Sequence, residues 1–134
     1  MTKQEILAFS LPYELKMCYT YENRIDIHTL LPMHFDCKCQ LVNERGKPIL
    51  RPLSDLTKEI KHKGERFVPI SEIVNHPLSY YDYKEDALIS IQNYFNQVRW
   101  WTIQYLIEWH FDIAGLIEKG EAIDVNTLTE NPYK

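Results

Sequence analysis

Between Leu88 and Leu116 the apolar residues Leu88, Ile91, Phe95, Val98, Tyr105, Trp109, Ile113 and Leu116 recur at spacings of three, four and seven. That period belongs to an amphipathic helix. A second apolar set, Trp100, Ile103, Ile107, Ala114 and Ile117, falls on another face, and Gln104, Glu108 and Asp112 mark the remaining polar stripe. A helix apolar on two sides must be covered on two sides. A sheet supplies one cover; another helix, or a partner chain, supplies the other. The pattern predicts a helical region from Asp82 or Tyr83 to Lys119, stopped by Gly120 and compatible with a break between Asn96 and Arg99. Arg99, Gln104, Glu108, His110 and Asp112 interrupt its apolar run too often for a membrane span.

The N-terminal half carries a different period. Tyr13, Leu15, Met17, Tyr19 and Tyr21 alternate with polar residues, as do Ile25, Ile27 and Thr29, then Phe35, Cys37, Cys39 and Leu41. Alternation is the mark of half-buried strands. Turn residues at Glu22–Arg24 and Asn43–Gly46 separate the runs, and Ile49–Leu50 between Pro48 and Pro52 reads as a short edge strand. Ser54 reads as the N-cap of a short helix holding Lys58 and Lys61 and ending by Gly64; Phe67–Val68 reads as a short strand, and Ser71 as the cap of one more turn. The fold expected is α+β, an N-terminal antiparallel β-meander over residues 13–50 packed against C-terminal helices. With 134 residues and no linker or repeat, one domain over 1–134 is expected.

A formal charge of −4 gives no whole-protein field toward nucleic acid, which leaves nucleic-acid contact only to a local basic patch. Lys58, Lys61, His62, Lys63 and Arg66 form that patch, diluted by Glu59 and Glu65. Three cysteines and a start without a signal-peptide pattern predict reduced thiols and a cytoplasmic protein.

Residues 34–39, HFDCKC, gather potential metal ligands. On a strand, however, Cys37 and Cys39 share one face while His34 and Asp36 take the other. A structural zinc site needs four converging ligands, so no metal and no cofactor is expected. Glu108, His110 and Asp112 place acid, base and acid within a helical turn and a half. Glu108 and Asp112 share a helix face and His110 leaves it, so solvated carboxylates and a core histidine compete with a catalytic reading.

Arg99-Trp100-Trp101 and Tyr80-Tyr81-Asp82-Tyr83 are dense in aromatics. Adjacent helical residues diverge by about 100°, so Trp100 and Trp101 cannot both face one core layer. A partner-binding surface is predicted around Arg99, Trp100 and Trp101, helped by Lys61 and Lys63, because aromatics and Arg concentrate interface energy. A homodimer is the alternative use of the same excess apolar face.

Three segments, KPILRPLSDLTKEI (47–60), GERFVPI (64–70) and LIEWHFDIAGLIEKGEAIDVNTL (106–128), resemble a family of small uncharacterised phage and prophage proteins of Bacteroidetes-type bacteria. The resemblance brings no catalytic motif. It implies a non-enzymatic accessory protein that binds a macromolecular partner. The first expectation is an anti-CRISPR-like inhibitor of a host defence nuclease. A virion or assembly component is the alternative, followed by a small hydrolase using Glu108, His110 and Asp112.

Overall fold

The computed structural model describes residues 2–21, 24–31 and 46–134, with an α+β architecture whose strands are mainly N-terminal and whose helices are mainly C-terminal. The strand expected over Phe35 to Leu41, with Cys37 and Cys39, lies outside the described residues.

The chain opens with a helix the alternation did not announce, α1 (Lys3–Ser10). Thr2 Oγ1 accepts from the Glu5 N–H at 3.2 Å, and Glu5 Oε1 accepts from the Thr2 N–H at 3.1 Å. This reciprocal capping box satisfies two N–H groups that a helix start leaves open. Ile6, Leu7 and Ser10 are its buried residues. Tyr13, expected to begin the first strand, instead closes a 3-10 turn over Leu11–Tyr13, because Pro12 favours that turn and Glu14 follows in a left-handed conformation.

Strand β1 (Lys16–Tyr21) pairs antiparallel with β2 (Arg24–Thr29), Met17 opposite His28, and with β3 (Gly46–Leu50), Met17 opposite Pro48. Met17, Cys18 and Tyr19 are all buried, so β1 is covered on both faces and the alternation holds only in part. The sheet runs β2-β1-β3-β6, where β6 (Ile123–Asp124) joins β3 in parallel. Ile49–Leu50 is therefore interior rather than an edge, and the sheet is mixed. Pro48 is tolerated because β6 pairs only with Ile49 and Leu50, past the residue that has no N–H to donate.

The basic segment is a hairpin, not a helix end. A 3-10 turn over Leu53–Thr57 leads to β4 (Ile60–His62), and β5 (Glu65–Phe67) returns antiparallel to it. Lys63 and Gly64, both at positive φ, make the two-residue turn whose twist suits a hairpin. Helix α2 (Pro69–Val74) follows, with Pro69 pre-set for a first helical turn.

The C-terminal helical region is divided. Helix α3 (Lys84–Asn93) ends at Tyr94, a 3-10 turn spans Phe95–Gln97, and α4 (Trp100–Glu108) starts afresh. Helix α4 stops eleven residues before the expected end at Lys119. The reason is a Schellman cap: Phe111 N–H donates to Leu106 O at 2.9 Å and His110 N–H to Ile107 O at 3.0 Å, with His110 at φ 62° in the position usually given to Gly. The chain then pairs with Arg51, whose N–H donates to His110 O at 2.7 Å and whose carbonyl accepts from Asp112 N–H at 2.8 Å. Gly120 repeats the same cap pattern on a single turn, Glu121 N–H to Leu116 O and Gly120 N–H to Ile117 O. It acts as a stop, but of a separate segment.

Two apolar clusters form the interior. One gathers Ile6, Leu7, Leu15, Met17, Ile49, Leu50, Leu116, Val125 and Tyr133 about the sheet. The other gathers Leu56, Ile70, Ile73, Ala87, Ile91, Leu106, Trp109 and Phe111 among the helices. Ile113 packs against both.

Candidate functional site: the open face of helix α4

Helix α4 turns Thr102, Leu106 and Ile107 inward. Two further rows run four residues apart, the more open Trp100-Gln104-Glu108 and the half-buried to buried Trp101-Tyr105-Trp109. The second row is an aromatic ladder. Trp101 stacks on His76 at 4.1 Å and meets Tyr105 edge-on at 6.1 Å; Tyr105 stacks on Trp109 at 5.1 Å, and Phe67 of β5 lies 5.1 Å from Trp109. The Trp101 indole Nε1 is buried without a partner.

Three clefts lie along this face and share walls. At the C-terminal end, about 520 Å³ is bounded by Tyr105, Glu108 and Trp109 with Glu65, Phe67 and Glu72 opposite. Tyr105 and Glu108 also line a middle cleft of about 280 Å³, together with Tyr13, Trp101 and Gln104. Tyr13 and Gln104 in turn line the third, about 230 Å³, closed by Trp100, Phe9 and Pro12. The shared residues make the clefts neighbours around α4, each with walls of its own.

The residues expected at an interface diverge around it. Trp100 is 51 % exposed and meets Phe9 of α1 edge-on at 5.7 Å. Trp101 is half-buried in the ladder, so the two tryptophans part as the helical angle requires. Arg99 lies over the Tyr80 ring, its Cζ 4.9 Å from the centroid. Lys61 and Lys63 sit on the β4–β5 hairpin: the Lys61 carbonyl accepts from Arg51, and Lys63 Nζ lies 3.7 Å from a Glu14 carboxylate oxygen.

Glu108, His110 and Asp112 do not converge, and the helix that would have put Glu108 and Asp112 on one face ends at Glu108. Glu108 lines two of the clefts. Asp112 is buried, and its two carboxylate oxygens accept from the Leu116 and Ile117 N–H groups at 2.8 and 2.9 Å. His110 is buried and stacked on Tyr133, with 4.2 Å between ring centroids.

That stack belongs to a buried polar cluster the sequence did not announce. Arg51 Nε donates to Trp109 O at 3.0 Å and Nη2 to Lys61 O at 3.2 Å, with His62 Nδ1 3.4 Å away. A guanidinium has only donors, so His62 Nδ1 is the acceptor and its unpartnered Nε2 carries the proton. Burial, then Arg51 and Lys63, push the His62 pKa down to about 4. Burial, then His62, Arg51 and Lys63, hold His110 well below the ordinary imidazole value, against the raising effect of the hydrogen bond it donates to the Tyr13 backbone. Burial likewise raises the Tyr133 phenol and lowers Arg51. These groups are contributed by the residue after β3, by β4, by the end of α4 and by the C-terminal segment, and no local spacing joins them. The hydrogen bonds it makes are internal, while His62 Nε2 and His110 Nδ1 are buried without a partner.

Cys18 is buried, and its burial raises the thiol pKa. Among the described residues no three metal-ligating side chains gather, and no helix is long and apolar enough to cross a membrane. No family model, curated protein or solved structure matches this chain.

Proposed function

We propose that this protein acts by binding a protein partner through the open face of α4, without turnover. The observation that carries the reading is Trp100, half exposed beside an exposed Phe9 at the cleft between α1 and α4. Exposed aromatic pairs of this kind gain more from burial by a partner than scattered surface apolar residues do. Arg99 over Tyr80 extends the surface with a planar cation, while Lys61 and Lys63 stand on the separate hairpin and are secondary to it. The reading favours a binding module over a hydrolase because Glu108, His110 and Asp112 occupy three different environments.

We propose further, from the resemblance to small phage proteins, that the partner belongs to the infected host. In this proposal the partner is a defence nuclease, which the protein inhibits by occupying a surface the nuclease needs. The test is a cleavage assay with a purified RNA-guided nuclease of the host and its guide. Stoichiometric inhibition by wild type, lost with Trp100→Ala, supports the proposal; full cleavage at tenfold excess of folded protein removes the nuclease as partner. Co-purification with capsid components instead transfers the binding role to virion assembly.

A further inference from the structure

We infer that residues 129–134 form an acid-released strap, seated by Tyr133 over the buried pair His62 and His110 and let go when both are protonated. The inference is independent of the binding role proposed for α4.

The strap hangs on one residue. Among the described residues, Tyr133 makes every hydrogen bond that joins 129–134 to the rest of the chain. Its hydroxyl donates to Ile49 O and accepts from the Lys16 N–H, and its carbonyl accepts from the Lys63 N–H. The remaining polar contacts, Tyr133 N–H to Asn131 and Lys134 to Glu130, stay inside the segment. A terminal segment with so few attachments opens at less cost than the global fold. The Tyr133 ring is also the lid of the polar cluster. His110 lies 4.2 Å, Arg51 Cζ 5.7 Å and His62 6.3 Å from its centroid.

Neither imidazole has a place for a second proton while the lid is down. His62 already carries one on Nε2, so the next goes to Nδ1, where it would face the Arg51 donor 3.4 Å away. His110 donates to the Tyr13 backbone through its other nitrogen, so its second proton goes to Nδ1, buried without an acceptor. A buried charge without a partner is costly, and lifting Tyr133 brings both rings to water.

The surrounding charges give no relief. Arg51 and Lys63 face the pair from the residue after β3 and from the hairpin turn, and the Tyr133 phenol is neutral. The nearby carboxylates are engaged elsewhere: Glu14 with Lys63, Asp55 with Lys58 and Asn126, Asp112 with the Leu116 and Ile117 N–H groups. Folding holds both histidines below the ordinary value, so from about pH 6.5 downward the released state binds protons that the seated state refuses. Release therefore grows as pH falls, by up to about tenfold per pH unit for each histidine.

The test is native-state hydrogen exchange on the full chain, read by NMR as protection factors at pH 7 and pH 5. The Lys16 and Lys63 amides report the strap, because Tyr133 holds both. The Leu30 amide, bonded to Leu15 O, and the Trp109 amide, bonded to Tyr105 O, report the sheet and the helices. Protection at Lys16 and Lys63 should fall at least tenfold more than at Leu30 and Trp109. That excess should shrink at least threefold in His62→Gln and in His110→Asn, the second chosen because Asn tolerates the left-handed backbone there. All four amides losing protection in step, or Lys16 and Lys63 keeping theirs at pH 5, overturns the inference, and this comparison needs no variant. An undiminished excess in both folded variants overturns it as well, because the acid response then lies outside the two histidines.

Discussion

Tyr133 and His110 lie with their rings 4.2 Å apart and 25° from parallel. The second residue from the C-terminus is thereby set on the residue that ends α4. The Tyr133 hydroxyl donates to Ile49 O at 2.7 Å and accepts from Lys16 N–H at 2.9 Å, while its carbonyl accepts from Lys63 N–H at 2.8 Å. One residue thus ties β1, β3, the hairpin and the helix end together. Tyr133→Phe keeps the stack and leaves the Ile49 carbonyl and Lys16 N–H without that hydroxyl. It should cost about 1–3 kcal/mol, measured by urea unfolding. A loss under about 0.5 kcal/mol would mean that water replaces the hydroxyl.

Stability should fall as the medium is acidified, through the two buried histidines. Folding depresses both their pKa values, His62 to about 4. The unfolded chain takes up these protons near pH 6.5. Between roughly pH 6.5 and 4 the unfolded state therefore binds more protons than the folded state, and stability rises with pH. Thermal melting from about pH 7 to 4.5 should show a falling Tm, and a shallower fall in His62→Gln. Identical slopes in the two proteins would contradict the assignment.

Asp112→Ala should destabilise the fold by about 1 kcal/mol, because two N–H groups of the following turn lose their carboxylate acceptors. Asp112→Asn keeps one acceptor oxygen and should recover part of the loss. If Asp112→Ala abolished an activity without changing stability, the capping role would be wrong and the carboxylate would be working elsewhere.

Leu106 is fully buried and supplies the carbonyl that accepts in the Schellman cap. Leu106→Asp places an unpaired charge in the helical cluster and should cost about 3 kcal/mol or more. Circular dichroism melting checks this directly. A wild-type Tm would mean that α4 does not pack as described.

The sequence carried the class of the fold and much of its detail, but not the points where distant segments decide local structure. Alternation located β1 and β2, and the helical period located α3 and α4. The end of α4 was hidden because His110 takes a left-handed cap without being Gly, under the pull of backbone pairing with Arg51. Local signals exist for two further elements: Thr2 three residues before Glu5 marks α1, and Lys63-Gly64 between Ile60–His62 and Glu65–Phe67 marks a hairpin where the lysines suggest a helix end. The separation of Trp100 from Trp101 followed from helical geometry alone. The cluster of Arg51, His62, His110 and Tyr133 had no sequence pattern, since only the tertiary fold joins it.

The central claim is that the α4 face binds a protein through Trp100, and its most direct measurement is quantitative capture from infected host cells with three tagged baits. These are wild type, Trp100→Ala and the remote control Glu130→Ala, each first shown to melt at the wild-type temperature. The account predicts a protein enriched by wild type and by Glu130→Ala, and reduced at least tenfold with Trp100→Ala, in keeping with the loss of an interface anchor. The same proteins recovered equally by all three baits, or none enriched by wild type, would contradict it.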